Sequence, residues 1–185
     1  MDWTKFNNHG ESNNHAFEVM CNLIFESWCR ETYQDKLEQF AFVNGNGGDG
    51  GVEAYGILSN GNIVGVQSKW FPNKLEDVQI RQIENSFKMA LKVRPNISRY
   101  IVCIPRDLNS KRIVKKGKKA KNTESDKWEE MVRKFKSFYP NVEIILWDES
   151  TIQEKITRPT SQGIYKYWFE NTVLFDQIFE NSYDK

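Results

Sequence analysis

An unbroken apolar run, Tyr-Ile-Val-Cys-Ile between Arg99 and Pro105, constrains the fold more than any other feature of the 185 residues. A strand that is apolar on both faces has to be covered on both, so this run predicts a buried central strand. The chain is long enough for one domain with a sizeable core. Its composition, 39% hydrophobic and 28% charged, is typical of globular proteins.

The periodicity of the apolar residues predicts the remaining elements. Helices are expected at about 14–31, 75–93, 127–139 and 149–156, and strands at about 37–43, 52–58, 62–70, 99–105 and 142–147. Asn13 or Asn14 is expected to cap the first helix. The aromatic stretch from Ser161 to Glu180 is also predicted to be helical. The order α-β-β-β-α-β-α-β-α predicts an α/β sandwich around a mixed central sheet.

Three cysteines and two histidines limit the chemistry. Cys21 and Cys103 lie in apolar patterns, so reduced core thiols are expected. No Cys-x-x-Cys pair exists, and two histidines disfavour structural zinc, a Ser-His-Asp triad or a histidine-metal nuclease. No apolar run is long enough to span a bilayer, and the first residues lack an apolar signal core. We therefore expect a cytoplasmic protein without membrane contact.

Charge is unevenly distributed along the chain. Residues 85–122 contain twelve Lys or Arg and one Asp, although the net charge of the whole chain is only +1. Such asymmetry indicates a polyanionic partner, and a solvated loop is the alternative. If the partner is DNA, contacts to its phosphates are expected from the basic loop. The basic residues concerned are Lys111, Arg112, Lys115, Lys116, Lys118, Lys119 and Lys121.

A glycine-rich loop, residues 44–51, leads into the two strands on which the functional prediction depends. Its G-x-G-x-x-G match does not indicate a dinucleotide site, because such a fingerprint must open a helix and a strand follows here. Glu53 begins the first strand, and Gln67-Ser68-Lys69 ends the second.

The turn between these strands decides whether the polar side chains meet. A two-residue turn at Asn60-Gly61 would place Glu53 opposite Ser68, on the other face from Gln67 and Lys69. A three-residue loop with a left-handed Gly61 places Glu53 opposite Gln67 instead. A bulge within either strand would have the same effect. A functional site therefore requires the longer loop or a bulge.

These residue types suit the hydrolysis of a phosphodiester. Mg²⁺ prefers hard oxygen ligands, with water and phosphate completing its shell. Glu53, the Gln67 side-chain carbonyl and the Ser68 backbone carbonyl could supply those oxygens, with Asp49 as a further candidate ligand. Lys69 would lie beside the attacking water and the charge that develops on phosphorus.

Other interpretations of the same residues stay open. Glu53, Gln67 and Lys69 could form the ordinary polar face of a half-buried strand. Glu18 lies at the edge of an apolar stripe, and it is either a solvated residue or a carboxylate facing the site. A set of aromatic residues could stack on bases, although packing in the core is the expected role. The set is Trp70, Phe71, Tyr165, Tyr167, Trp168 and Phe169.

GGDGGVEAYG followed by GVQSKWF resembles the PD-(D/E)XK restriction-endonuclease-like superfamily, and within it the Mrr-like branch. HAFEVMCNLIF is similar to the first helix of that family, and YIVCIPRDLN to the strand after its second helix. The likeness covers most of the chain. It is greatest to N-terminal nuclease domains of bacterial anti-phage defence proteins, in which a STAND-type NTPase sensor usually follows. An aromatic segment like YKYWFEN closes the nuclease domain there.

The resemblance implies a role for each matching position. Glu53 takes the acidic metal-ligand position, one methylene longer than the usual aspartate, and Gln67 takes the second motif position. Lys69 matches the catalytic lysine, Glu18 the helix acid near the site, and Asp49 an acid common in the loop. The implied activity is cleavage of double-stranded DNA with Mg²⁺, or with Mn²⁺ in its place.

The resemblance also implies an organisation. Residues 1–158 would form the restriction-endonuclease-like domain, a three-layer α/β/α sandwich, and residues 159–185 an aromatic helix or linker to a further domain. The active form would be a homo-oligomer, assembled by a covalently linked NTPase sensor. The first alternative is a DNA-binding or assembly module that has lost catalysis. The second is a nucleotide-binding domain that uses the glycine loop.

Overall fold

The computed structural model describes residues 1–43, 50–110 and 123–170. The helices are α1 (Asn13–Tyr33), α2 (Asp77–Val93), α3 (Glu124–Phe138), α4 (Glu149–Ile156) and α5 (Gln162–Phe169). The strands are β1 (Leu37–Phe42), β2 (Ala54–Leu58), β3 (Ile63–Ser68), β4 (Ile97–Cys103) and β5 (Glu143–Trp147). Short 3₁₀ turns occur at Trp3–Lys5, Gln34–Lys36 and Pro159–Ser161. None of the helices in the described ranges has both the length and the apolar character needed to cross a bilayer.

The five strands form one mixed sheet in the order β1-β2-β3-β4-β5. The first three strands are antiparallel neighbours, whereas β3, β4 and β5 run parallel. Parallel neighbours need long crossovers, and α2 and α3 provide them. The predicted α/β class and mixed sheet are confirmed.

Strand β4 separates two apolar cores. Ile101 and Cys103 face the core formed with α1, α4 and α5, whereas Tyr100 and Val102 face the core formed with α2 and α3. All four side chains are fully buried. The apolar run that predicted a buried strand therefore does lie between two covered faces.

Several boundaries differ from the prediction for local reasons. The Ser12 hydroxyl accepts a hydrogen bond from the His15 N–H at 3.2 Å, so Ser12 caps α1 and the prediction of Asn13 or Asn14 is wrong. Helix α3 begins earlier than predicted because Thr123 and Asp126 form a capping box. Residues 171–185, which include the end of the predicted aromatic helix, lie outside the described residues.

Aromatic residues near the two ends of the described chain pack together with Trp70, which lies just after β3. Trp3, Phe6, Trp70, Trp168 and Phe169, here called the aromatic array, belong to or border the α1 core. Phe6 stacks on Trp70 at 5.8 Å and on Trp168 at 5.5 Å between ring centroids. Phe71 packs into the opposite core. Packing, the predicted role for Trp70, Phe71, Trp168 and Phe169, is confirmed, while Tyr165 and Tyr167 are exposed.

The cysteines are reduced. Cys21, Cys29 and Cys103 are buried free thiols, as expected. Burial raises the pKa of Cys21 well above its ordinary value, and the neighbouring Cys103 thiol adds to that effect. Burial raises the pKa of Cys29 as well, so Cys21 and Cys29 stay protonated as ordinary core groups.

Candidate active site

The β2–β3 hairpin brings the predicted polar side chains together. Ile57 pairs with Ile63 and Ala54 with Val66, and the N–H of Glu53, just before β2, donates to the Val66 carbonyl at 2.9 Å. The Leu58 N–H donates to the Asn62 carbonyl at 2.9 Å, which leaves a three-residue loop. Gly61 ends that loop at φ +78°, a left-handed conformation that favours glycine. The predicted three-residue loop is confirmed, and the pairing of β2 with β3 shows no register shift between Ala54 and Ile57.

The Glu53 carboxylate is buried and bonded on both oxygens. Its Oε1 accepts a hydrogen bond from Gln67 Nε2, and its Oε2 accepts one from the Ser68 backbone N–H at 2.8 Å. The side chains of Glu53 and Gln67 are 4% and 0% exposed, which excludes the interpretation of an ordinary solvated strand face. The Glu53 backbone is fixed as well, because its N–H donates to Val66 and its carbonyl accepts from Val43.

Electrostatics at this position favour the neutral acid in the absence of a cation. Burial and, after it, the nearby charge of Glu18 raise the pKa of Glu53 to about 8. The Ser68 N–H and the positive charge of Lys69 oppose the increase only in part. A buried carboxyl beside a second acid holds a proton near neutral pH unless a cation replaces that proton.

Glu18 and Lys69 approach Glu53 from two different elements. Glu18 projects from α1, is half-buried, and is near enough for its charge to act on Glu53. The Lys69 N–H donates to the Cys103 carbonyl at 2.9 Å, which extends the β3–β4 ladder by one residue. Of the two interpretations of Glu18, the geometry favours the carboxylate that faces the site.

The residues present fit a hard divalent cation. Gln67 Oε1 is buried and has no hydrogen-bond partner among the described residues. The Ser68 carbonyl receives a weak contact from Gln67 Nε2, at 3.4 Å. Together with Glu53 and Glu18, these oxygens provide acceptors of the type that Mg²⁺ prefers. No group of three or more His, Cys, Asp or Glu lies together in the described ranges, so neutral oxygens would have to complete the protein ligands.

Two sets of predicted residues cannot be placed. Asp49 lies outside the described residues, and so do Lys111, Arg112, Lys115, Lys116, Lys118, Lys119 and Lys121. The described ends of the basic loop are tied together, because the buried Glu124 carboxylate accepts from Arg106 at 3.0 Å and from the Asn109 N–H at 3.2 Å. Arg106, Asn109 and Glu124, on either side of residues 111–122, are therefore held together.

A second concavity lies between α2 and α3, away from Glu53. It has a volume of about 350 Å³, and ion pairs line it: Lys127 with Asp77 at 2.7 Å and Lys134 with Glu84 at 2.9 Å. The lining carries three acidic and three basic side chains, so the groove offers a ligand no net charge. The chemistry of the described residues is therefore concentrated at Glu53.

Sequence reasoning missed Tyr100, which holds the chain just before Glu53. The Tyr100 hydroxyl donates to the Gly51 carbonyl at 2.8 Å. The sequence signal was a tyrosine within the apolar run of β4, since a buried tyrosine hydroxyl needs a partner.

No protein-family model matches the chain, and no curated protein matches its sequence significantly. Function is therefore inferred from the geometry of Glu53, Gln67, Ser68 and Lys69, together with the family resemblance of the sequence.

Proposed function

We propose that this chain is a metal-dependent endodeoxyribonuclease that cleaves double-stranded DNA with little sequence preference. The observation that carries the proposal is the convergence of Glu53, Gln67, Ser68 and Lys69 at the end of the β2–β3 hairpin, with Glu18 on the facing helix. A strand residue that only faced solvent would not be a carboxylate buried between an amide and a backbone N–H. The fit of the site oxygens to a hard cation supports the same function.

Each residue has a role that follows from its position. Glu53, the Gln67 carbonyl and the Ser68 carbonyl would hold Mg²⁺ or Mn²⁺, and Glu18 would add negative charge nearby. When bound, the metal supplies charge neutralisation at the phosphate and acidifies a water molecule. Lys69 stabilises the charge that develops on the phosphoryl oxygens, because its ammonium lies beside Glu53.

The wider proposal concerns the fold family and the biological setting. Residues 1–158 would form a restriction-endonuclease-like three-layer sandwich, with residues 159–185 leading to a further domain. The chain would be the effector of an anti-phage defence system, activated when an NTPase sensor assembles it into a homo-oligomer. The resemblance of GGDGGVEAYG, GVQSKWF and YKYWFEN to that family supports this setting.

Cleavage of supercoiled plasmid with Mg²⁺ tests the proposal. We expect little nicking at high dilution and increasing nicking and linearisation as the chain concentration rises. Lys69→Ala should abolish cleavage. Lys136→Ala, which removes one positive charge from an exposed position on α3, should leave cleavage unchanged. Equal cleavage by the wild-type chain and Lys69→Ala would contradict the proposal, as would no cleavage at any concentration.

One observation favours a second candidate, a DNA-binding or assembly module without catalysis. The hydrogen bonds from Gln67 and Ser68 satisfy the Glu53 carboxyl without any cation, and the amide at position 67 carries no charge to attract one. On this alternative, duplex binding depends on salt but is the same with Mg²⁺ and with a chelator. It is also unchanged by Lys69→Ala.

A further inference from the structure

The chain enters the site through a glycine that lies against the backbone of α2. Gly51 has φ +80°. A Cβ atom at Gly51 would lie 2.1 Å from the Ser86 carbonyl oxygen and 2.6 Å from the Ala90 nitrogen, so no side chain fits there. Helix backbone cannot move aside as a flexible side chain can. Gly51 is therefore a contact point between the start of the hairpin and α2.

A buried tyrosine holds the same residue from the sheet. The Tyr100 hydroxyl donates to the Gly51 carbonyl at 2.8 Å, and Tyr100 is 0% exposed. Its ring packs edge-on against Phe87 of α2, with ring centroids 5.1 Å apart. The hydroxyl is therefore fixed in direction by a strand and a helix that are both part of the core.

A third contact holds the preceding residue. Arg94 Nη1 lies 3.4 Å from the Gly50 carbonyl oxygen, and the Arg94 guanidinium lies over the Tyr55 ring at 4.7 Å from its centroid. This contact is longer than the one made by Tyr100, so its contribution to the position of the loop is smaller.

Only Val52 separates this anchored point from Glu53. Val52 is fully buried and packs over Gly65 of β3, so it has little freedom to absorb a displacement of Gly51. A shift of Gly51 would therefore also move Glu53. The Glu53 carboxylate accepts the hydrogen bonds from Gln67 and Ser68, so their geometry would change as well.

We propose that Tyr100 is a positioning residue for Glu53, and that its hydroxyl tunes the affinity of the site for a divalent cation. The inference rests on the proposed function, because it assigns Tyr100 a role toward the metal that Glu53 would hold. Groups behind the direct ligands commonly change metal affinity by about 10–100-fold when they are removed.

Tyr100→Phe tests the inference, because it deletes the hydroxyl and keeps the ring. Tyr33→Phe is the matched control, since the Tyr33 hydroxyl also makes one hydrogen bond, with Arg99 at 2.7 Å, but away from the site. Thermal unfolding is followed over a Mg²⁺ titration, and plasmid cleavage is measured over the same titration. We expect the Mg²⁺ midpoint to rise about tenfold in Tyr100→Phe and to stay unchanged in Tyr33→Phe.

The outcomes separate the two proposals. If Mg²⁺ stabilises the wild-type chain and Tyr100→Phe has the wild-type midpoint, the positioning role is wrong and the proposed function stands. If Mg²⁺ does not shift the unfolding of the wild-type chain, and Glu53→Gln behaves identically, both proposals are wrong. If Tyr100→Phe does not fold, Phe87→Leu removes the ring that directs the Tyr100 hydroxyl, and an unchanged Mg²⁺ midpoint in that variant overturns the inference.

Discussion

Glu53, just before β2, and Gln67 of β3 meet at the end of the β2–β3 hairpin, where the Gln67 amide donates a hydrogen bond to the Glu53 carboxylate. The partner of a carboxylate at this position is therefore neutral. The amide satisfies the acid when no cation is present, and its own carbonyl oxygen remains buried without a partner among the described residues. The pair is thus compatible with a protonated acid alone and with an ionised acid beside a metal.

Glu53→Gln should remove a pH dependence from the stability of the metal-free chain. Burial raises the pKa of Glu53 from 4.5 to about 8. Between these values the unfolded chain releases a proton that the folded chain keeps, so the free energy of unfolding falls as pH rises. The slope from this one group is at most about 1.4 kcal/mol per pH unit.

Urea denaturation in a chelating buffer at about pH 5, 6.5 and 8 measures the effect. The stability of Glu53→Gln relative to the wild-type chain should increase with pH. Glu129→Gln, at an exposed position of α3, is the control and should show no such trend. Parallel pH profiles for the wild-type chain and Glu53→Gln would contradict the prediction.

Gln67→Glu should lower the stability of the metal-free chain and raise its affinity for Mg²⁺. It replaces the amide donor by a second buried carboxyl, which leaves Glu53 Oε1 without its partner and should cost roughly 1–3 kcal/mol in chelating buffer near neutral pH. Mg²⁺ should stabilise this variant more than the wild-type chain, because two acids then attract the cation. Gln39→Glu makes the same chemical change at an exposed position of β1 and is the control. The measurement is the melting temperature of each variant with and without Mg²⁺. If Mg²⁺ raises the melting temperature of Gln67→Glu and of the wild-type chain equally, the prediction is wrong.

The length of the hairpin loop should matter more to the site than the glycine within it. Gly61→Ala places a side chain at φ +78° where nothing lies within 4 Å, so the cost is backbone strain of about 1 kcal/mol. Gly10→Ala, at φ +82° and equally open, should cost the same and is the control. Deleting Ser59 instead leaves a two-residue turn, which shifts β2 against β3 by one residue, separates the Glu53 carboxylate from Gln67 and should abolish the Mg²⁺ shift in thermal unfolding. A retained Mg²⁺ shift in the deletion variant would show that loop length does not set the site.

The hairpin and the central strand were predictable because each depends on a local pattern. The alternation of side chains left only a three-residue loop or a bulge once Glu53 and Gln67 had to share a face, and Gly61 indicated the loop. The run from Tyr100 to Ile104 required two covered faces. Neither conclusion needed knowledge of distant contacts.

Other parts of the site depend on tertiary packing that a local pattern does not encode. Helical periodicity placed Glu18 at the edge of an apolar stripe, but only the docking of α1 on the sheet brings it near Glu53. Tyr100 counted as one more apolar residue in its strand, although its hydroxyl is directed at Gly51. Ser12, Asn13 and Asn14 are all suitable cap residues by type. Ser12 is the cap because its backbone is extended, whereas Asn13 already belongs to the helix.

Trp70→Leu should slow cleavage without changing metal or DNA affinity. Trp70 directly follows Lys69, and its ring contacts Trp3 at 5.5 Å and Phe6 at 5.8 Å between centroids. Removing that ring frees the backbone that directs the Lys69 ammonium, which acts on the reacting phosphate. Loss of orientation lowers the rate constant for the chemical step, and the groups that hold the metal are unaffected.

Single-turnover cleavage at saturating Mg²⁺ and DNA measures the rate constant of the chemical step. Separate titrations give the midpoints of Mg²⁺ binding and of DNA binding. We expect a loss of about tenfold or more in the rate constant, with both midpoints close to those of the wild-type chain. Phe135→Leu truncates a buried aromatic residue in the opposite core and is the control for lost stability. Assayed well below its melting temperature, it should keep the wild-type rate constant. Trp70→Phe, which retains an aromatic ring in the array, should recover most of the rate. If Trp70→Leu and Phe135→Leu have equal rate constants, Trp70 only stabilises the fold and does not orient Lys69.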